Sequence, residues 1–164
     1  MIIIIMGVSG AGKSTVGKLL AKSLDWDFFD GDSFHPETNI EKMSNQIPLN
    51  DIDRIPWLEK MRNAIDEWLE NNKNVVLACS ALKQTYRHYL LTNTKNVKIV
   101  YLKGSFNLCA QRLQERKNHF MKFEMLQSQF DILEEPKQAI IIDAEKSPEE
   151  IVYSIRKNLY NNPI

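Results

Sequence analysis

The chain has 164 residues, enough for one domain with a sizeable core. Its 21 Lys and Arg residues balance its 21 Asp and Glu residues, so no net field attracts it to nucleic acid or to an anionic membrane. The longest apolar run is too short to span a membrane and has no basic leader, and the two cysteines match no metal-site or disulfide pattern. We therefore expect a single cytoplasmic domain over residues 1–164, with no nucleic-acid or membrane partner.

The first 24 residues predict a buried strand, a glycine-rich loop and a helix. Four consecutive isoleucines within residues 1–6 lack polar alternation, which is typical of a parallel strand covered on both faces. A helical pattern then covers Lys13–Leu24. The connecting loop follows the pattern G-x-x-x-x-G-K-S/T and consists of Gly7, Val8, Ser9, Gly10, Ala11, Gly12, Lys13, Ser14 and Thr15.

This pattern between a strand and a helix is typical of a phosphate-binding loop. Gly7, Gly10 and Gly12 can adopt positive φ, so successive N–H groups can surround a phosphate at the positive end of the helix dipole. Lys13 would contact the β- and γ-phosphates of a nucleotide, and the Ser14 hydroxyl would bind Mg²⁺. The alternative is a plain glycine turn, although the four fixed positions rarely coincide by chance.

Strands and helices alternate along the rest of the chain, which indicates an α/β layered fold with right-handed crossovers. Ligands of such sheets bind beyond the carboxyl ends of the strands, so the segments that follow the strands should share one edge with the glycine loop. The predicted strands are Asp27–Asp30, Val75–Cys79, Val97–Leu102 and Ala139–Ile142, and the predicted helices are Glu37–Ser44, Ile55–Asn71, Lys83–Leu91, Ser105–Arg116 and Pro148–Leu159.

The helix predicted over Ile55–Asn71 has Pro56 near its first turn, where a missing N–H costs little. Its large apolar residues recur at helical spacing, which indicates a stripe that faces the core and not a cofactor site. The stripe consists of Trp57, Met61, Ile65 and Trp68.

Two carboxylates end the second predicted strand, in the sequence Asp30-Gly31-Asp32. Residues two apart in an extended chain point to the same side, so the two carboxylates can act together. A kinase needs one carboxylate near Mg²⁺ and another that accepts a proton from the attacking hydroxyl. The alternative is a solvated acidic turn, but the neighbouring phosphate loop favours the functional interpretation.

Four further polar residues on this edge allow two interpretations each. His35 is either a substrate contact or a histidine satisfied within its loop. Arg54 precedes a helix N-terminus, where the dipole disfavours a cation, so it serves either a bound anion or an ion pair with Asp51 or Asp53. Lys83 and Arg87, four residues apart on one helix face, bind an acidic substrate or are solvated charges.

A basic segment over residues 112–130 mixes cations with aromatic residues. Positive groups on a hinged flap suit phosphoryl transfer, because closure supplies charge to the transition state and excludes water. Arg112 and Arg116 are i, i+4 neighbours and fit this function. They equally fit an ordinary helix end, where cations complement the dipole.

Seven blocks of sequence together resemble the bacterial-type gluconokinases, which are P-loop kinases related to shikimate and nucleoside monophosphate kinases. The resemblance implies a three-layer α/β fold with a five-stranded parallel sheet in the order 2-3-1-4-5 and a helical lid at about residues 116–130. It also implies Mg²⁺- and ATP-dependent phosphorylation of the 6-hydroxyl of D-gluconate, feeding the pentose phosphate route, by a homodimer. The blocks are Gly7–Ser14, Asp30–Met43, Pro48–Leu58, Cys79–Arg87, Arg112–Phe120, Ser128–Phe130 and Leu133–Pro136.

The same resemblance implies roles for individual residues. Asp32 would orient and deprotonate the acceptor hydroxyl, while Asp30 would help Ser14 to hold Mg²⁺. Arg112 would stack on adenine, near the loop from Asp143 to Pro148, and Arg116 would close over the transferring phosphate beside Lys13. The gluconate site would be lined by His35, Arg54, Lys83 and His119, with Arg54 as the leading partner of the carboxylate.

Departures from the family pattern are few and remove no proposed catalytic group. Ala11 stands where Ser is frequent, and His88 stands where Asp is frequent. Asn118 stands where Gly is frequent, and this change would stiffen the lid because Asn reaches fewer backbone conformations than Gly. Two other functions compete: a kinase for another small acid, shikimate above all, or for a nucleoside monophosphate, and a nucleotide-dependent switch. The guanine-reading Asn-Lys-x-Asp pattern is absent from the sequence, which argues against a GTPase.

Overall fold

A computed structural model describes residues 1–91, 93, 95–116 and 123–161. Within it, five strands form one parallel sheet in the order β2-β3-β1-β4-β5, which confirms the predicted topology. Each strand lies within two residues of its predicted bounds. The strands are β1 (Ile2–Met6), β2 (Asp27–Asp30), β3 (Val75–Ala78), β4 (Val97–Lys103) and β5 (Ile140–Asp143).

Strand β1 lies at the centre of the sheet and is completely buried. Ile2 is in register with Val75 of β3 and with Val97 of β4, so the strand is hydrogen-bonded along both edges. The isoleucine run is therefore explained by a strand that meets protein on both faces, as its sequence predicts.

Seven α-helices lie among the described residues and cover both faces of the sheet. Ile3 and Ile5 of β1 face the first, fifth, sixth and seventh helices, whereas Ile2 and Ile4 face the third and fourth. This alternation gives the three layers that the resemblance implies. The helices are α1 (Lys13–Leu24), α2 (Glu37–Ser44), α3 (Asp51–Glu70), α4 (Gln84–Leu90), α5 (Phe106–Glu115), α6 (Phe123–Ile132) and α7 (Pro148–Asn161).

Helix α3 begins four residues before its predicted start at Ile55. Asn50 caps it: its side chain accepts the Asp53 N–H at 2.8 Å, and the Asp53 carboxylate accepts the Asn50 N–H at 3.0 Å. This reciprocal capping box starts the helix upstream of Pro56, so the proline lies inside α3 and not near its first turn. The apolar stripe of α3 is buried as predicted, at Trp57, Met61, Ile65 and Trp68.

Helix α6 occupies the second half of the segment predicted as a lid, whereas residues 117–122 lie outside the described part of the chain. The basic and aromatic composition of this segment predicted a flap but did not locate the helix. Among the described residues, no helix combines the length and the apolar character that crossing a bilayer requires.

The capping box predicts that Asn50→Ala lowers the free energy of unfolding by about 1 kcal/mol, because the Asp53 N–H loses its acceptor. Urea denaturation would measure the change. Asn50→Ser retains a capping oxygen and should remain close to the parent protein. Equal stability of the alanine and serine variants would contradict the assigned start of α3.

Candidate active site

Loops at the carboxyl edge of the sheet enclose a cleft of about 310 Å³. The glycine loop, the turn after β2 and the segment after β3 meet there, as the sequence predicts. Three cationic and two anionic side chains contribute to the wall of the cleft. Its lining includes Lys13, Ser14, Asp30, Asp32, His35, Arg54 and Arg116.

The glycine loop packs tightly against α5. A Cβ at Gly10 would lie 2.6 Å from the Cys109 carbonyl oxygen, and the φ of 82° there is one that other residues rarely adopt. Gly12, with a φ of 98°, is the N-cap of α1. The amides that begin α1 therefore lie next to the cleft, and the loop has the form of an anion-binding turn.

Lys13 is attached to the loop itself, because its Nζ donates to the Val8 carbonyl at 3.0 Å. Burial lowers the pKa of Lys13, while the negative charges of Asp32 and Asp30 oppose that change. The ammonium group thus donates to a backbone carbonyl and is close enough to two acidic side chains to feel their charges. An anion that enters the cleft could accept a further hydrogen bond from it.

Asp30 organises the acidic side of the cleft. Its Oδ2 accepts the Ser14 hydroxyl at 2.9 Å, and its Oδ1 accepts the Asp32 N–H at 2.9 Å. A hydroxyl and a carboxylate in contact suit Mg²⁺, which takes one or two protein oxygens and completes its octahedron with water and phosphate. No group of three metal-ligating side chains lies among the described residues.

Asp32 has the electrostatics of a proton acceptor. Burial raises the pKa of its carboxyl, the Asp30 charge raises it further, and Lys13 lowers it. A raised pKa makes this carboxylate more basic than an ordinary aspartate, which suits a group that accepts a proton. Both oxygens of Asp30 already accept hydrogen bonds, from Ser14 and from the Asp32 N–H, so Asp32 is the better suited of the two to accept a proton.

The ring of His35 is fixed in one plane. It stacks on Trp57 with the ring centroids 4.5 Å apart and the planes 8° from parallel. Trp57 is held in turn by donating its Nε1–H to the Gly31 carbonyl at 2.8 Å. Burial, with a smaller contribution from Arg54, lowers the pKa of His35 to about 4, so the ring is neutral near pH 7.

Arg54 approaches the cleft from the first turn of α3. Its Nη1 donates to the Leu49 carbonyl at 2.7 Å and to the Tyr86 hydroxyl at 3.2 Å, and its guanidinium lies 5.4 Å from the centre of the Tyr86 ring. These contacts fix one side of the guanidinium fork. The remaining N–H groups are available to an anion in the cleft.

The alternative ion pairs of Arg54 are not formed among the described residues. Asp53 binds Lys42 at 2.9 Å and Asp51 binds Lys83 at 2.9 Å. Lys83, which the resemblance places in the substrate site, is therefore directed to Asp51, beside the mouth of the cleft and outside its lining. Its contact with substrate stays a prediction.

Arg87 is explained by neither interpretation drawn from its sequence. Only 5% of it is exposed, and it donates to the carbonyls of Ala81, Leu82 and Glu134 at 2.9, 3.1 and 2.8 Å. The guanidinium thereby joins the loop after β3 to the segment after α6. The spacing of Arg87 from Lys83 gave no indication of this structural role.

The two arginines of the basic segment, Arg112 and Arg116, have different surroundings. Arg112 is held by the glycine loop and the loop after β5, because it donates to the Ala11 carbonyl at 3.3 Å and to the Ala144 carbonyl at 2.7 Å. Arg116 ends α5, is exposed and lines the cleft. His119 lies outside the described residues, so its predicted contact remains a prediction.

Gln129 of α6 is a cleft residue to which the sequence assigned no role. Its Oε1 accepts the Ser9 N–H at 2.8 Å, and its Nε2 donates to the Ser9 hydroxyl at 3.1 Å. Both ends of one amide therefore bind the glycine loop across 120 residues of chain. The signal in the sequence was its membership of the Ser128–Phe130 block.

Comparisons with known proteins extend over nearly the whole chain. Residues 9–160 match the family described as shikimate kinase. The chain is similar to the thermoresistant gluconokinase of Escherichia coli strain K12, with 43% identity over 93% of this chain and 90% of that protein. It is 43% identical to the gluconokinase of Arabidopsis thaliana over 98% of this chain and 93% of that protein. The crystal structure of a gluconokinase from Sinorhizobium meliloti 1021 superposes with a TM-score of 0.83 at 40% identity, covering 97% of this chain and 95% of that one.

Proposed function

Because the chain belongs to the gluconokinase family of phosphotransferases, we propose that it transfers the γ-phosphoryl group of ATP to the 6-hydroxyl of D-gluconate. The products are 6-phospho-D-gluconate and ADP. The observation that carries the proposal is one cleft that joins a phosphate loop to an aspartate with a raised pKa. Arg54 in the same cleft supplies a partner for a carboxylate.

The glycine loop and the start of α1 bind the phosphates of ATP through backbone N–H groups. Lys13 turns from the Val8 carbonyl to the β- and γ-phosphates, since the exchange replaces a neutral acceptor with a charged one. Arg112 packs against adenine near Ala144, and Arg116 supplies positive charge to the transferring phosphoryl group.

Asp32 orients the attacking hydroxyl and accepts its proton. The hydroxyl oxygen forms a bond to the γ-phosphorus while the bond from phosphorus to the bridging oxygen of ADP breaks. The proton passes to the Asp32 carboxylate, and the negative charge leaves on ADP. Positioning and charge neutralisation by the cleft supply most of the acceleration.

Ser14 and Asp30 are the residues that would hold Mg²⁺, Asp30 through water, because their oxygens already meet at 2.9 Å. The ion would neutralise charge on the β- and γ-phosphates. Asp30 also keeps Asp32 in place through the Asp32 N–H, so the two acidic residues have separate tasks.

Arg54 binds the gluconate carboxylate, since its contacts with Leu49 and Tyr86 leave donors free on the side of the cleft. His35, Lys83 and His119 contact the hydroxyl groups of the sugar acid. Lys83 must first leave its ion pair with Asp51. This ion pair costs little to break, because the Asp51 carboxylate is exposed.

We also propose that the chain is one cytoplasmic domain, works as a homodimer and closes residues 116–130 over the cleft as a lid. The position of Arg116 in the cleft wall supports the lid, because closure would carry this cation toward the phosphates.

The direct test is ADP release by the purified protein with Mg²⁺, ATP and a panel of acceptors. We expect turnover with gluconate and little with shikimate or nucleoside monophosphates. Lys13→Ala should abolish the activity, whereas Lys18→Ala, a change on the exposed side of α1, should retain it. Preferential turnover of shikimate or a nucleotide would reassign the substrate, and no turnover of any acceptor would favour a nucleotide-dependent switch.

Asp32→Asn should lower kcat by about a hundredfold or more, with a smaller effect on the KM for ATP, because the proton acceptor is lost. In the parent protein, kcat should fall on the acidic side as Asp32 becomes protonated, at a pH above the ordinary aspartate range. Asp27→Asn, at the other end of β2, is the matched control. An effect on KM alone would reassign Asp32 to uniform binding.

Arg54→Ala should raise the KM for gluconate by about tenfold or more, since a charge-assisted hydrogen bond is lost. The KM for ATP should change little. Arg62→Ala provides the control, because Arg62 lies on the same helix with its side chain half exposed. A change confined to the KM for ATP would remove Arg54 from the carboxylate site.

A further inference from the structure

Asn39 on α2 is a buried polar residue, with 2% of its surface exposed. A buried amide must find hydrogen-bond partners, because an unpaired one costs about 1–3 kcal/mol. The Asn39 amide has two hydrogen-bond partners, Asp53 and His35, and both residues lie next to the cleft. Its position in the sequence block Asp30–Met43 gave it no role of its own.

The orientation of the Asn39 amide follows from the first partner. The backbone carbonyl of Asp53 lies 2.8 Å from Nδ2 of Asn39, and a carbonyl oxygen can only accept. The atom that faces it must therefore be the nitrogen. The orientation of the Asn39 amide is therefore assigned independently of its contact with His35.

The second hydrogen of the same NH₂ group is directed to His35, whose Nδ1 lies 3.2 Å from Nδ2 of Asn39. An NH₂ group has no acceptor to offer, so Nδ1 of His35 must be the unprotonated, accepting nitrogen. In a neutral imidazole the remaining proton is then on Nε2. Trp57 holds the plane of the ring, so the direction of that N–H is also fixed.

We propose that Asn39 is a positioning residue that fixes His35 as the Nε2–H tautomer, which donates a hydrogen bond to a hydroxyl oxygen of the acceptor substrate. The inference rests on the proposed function for the identity of that substrate. Among the described residues Nε2 has no hydrogen-bond partner, and His35 lines the cleft.

The assignment divides the chemistry of the acceptor site between two residues. His35 donates and cannot act as the base, because its only free nitrogen already carries a proton. Asp32, whose carboxylate can only accept when ionised, is left as the proton acceptor. A polyhydroxy acid suits this pair, since each of its hydroxyls both donates and accepts.

The tautomer can be read directly from long-range ¹H–¹⁵N correlation spectra of the histidine-labelled full-length protein. We expect the Nε2–H pattern for the His35 ring, with its signals identified by their loss in His35→Gln. Asn39→Asp replaces the donor with an acceptor and should convert the ring to a form with a proton on Nδ1. The KM for gluconate should then rise about tenfold while kcat stays within about twofold.

Three variants separate this role from simple attachment of α2 to α3. Lys42→Met breaks the ion pair with Asp53 but leaves the Asn39 and His35 contacts in place, so its KM should stay near that of the parent protein. His35→Gln retains a terminal N–H donor and should lose less affinity for gluconate than His35→Phe, which keeps only the stacking.

A proton on Nδ1 of His35 in the parent protein would overturn the inference, as would an equal rise in KM for Lys42→Met and Asn39→Asp. The spectrum requires no substrate. Failure to phosphorylate gluconate would therefore overturn the proposed function alone, and the Nε2–H pattern would still support the assignment of Asn39.

Discussion

The complete burial of β1 between β3 and β4 is the constraint on which the rest of the molecule depends. A central parallel strand must be covered on both faces, so the helices that connect the strands divide into two layers. All five strands then end at the same edge, where the glycine loop and the turn after β2 bring Lys13, Asp30 and Asp32 into the cleft. The burial of β1 thereby determines at which edge of the sheet the polar residues of the cleft can meet.

The cleft is built from charges that are held mainly by neutral partners. Lys13 donates to a backbone carbonyl and Arg54 to a carbonyl and a phenol, while Arg112, outside the cleft lining, donates to the carbonyls of two loops. Direct ion pairs occur at the border instead, where Lys83 meets Asp51. Among the described residues, the partners of Arg54 and Arg112 are neutral groups, so both guanidinium groups keep their positive charge for a polyanion.

The sequence predicted the alternation of strands and helices well because its signals are local, whereas the order of the strands followed from the family resemblance. Glycines between an isoleucine run and a helix, and alternation of strands with helices, depend on neighbours in the chain. Predictions failed where a distant partner decides the outcome. Arg87 turned out to be a buried link to Glu134, and α3 begins before Pro56 because a capping box lies upstream.

The same limit applies to the candidate site. Residue types and spacing predicted Lys13, Asp30, Asp32, His35, Arg54 and Arg116, all of which line the cleft. They could not predict Gln129 or Asn39, because an amide acquires a role only from the groups that the fold brings to it. The pairing of Lys83 with Asp51 was equally invisible, since 32 residues separate the two.

The close contact between Gly10 and the Cys109 carbonyl has a consequence for the arginines of α5. A helix advances by about 1.5 Å per residue, so Arg112 lies only about one turn beyond this contact. A side chain at position 10 would clash with the Cys109 carbonyl, so the glycine loop or α5 would have to move and the distance between the loop and Arg112 would change. Because Gly10 has no side chain, the glycine loop and α5 can pack in direct contact. This contact sets the distance between the loop and the guanidinium group of Arg112.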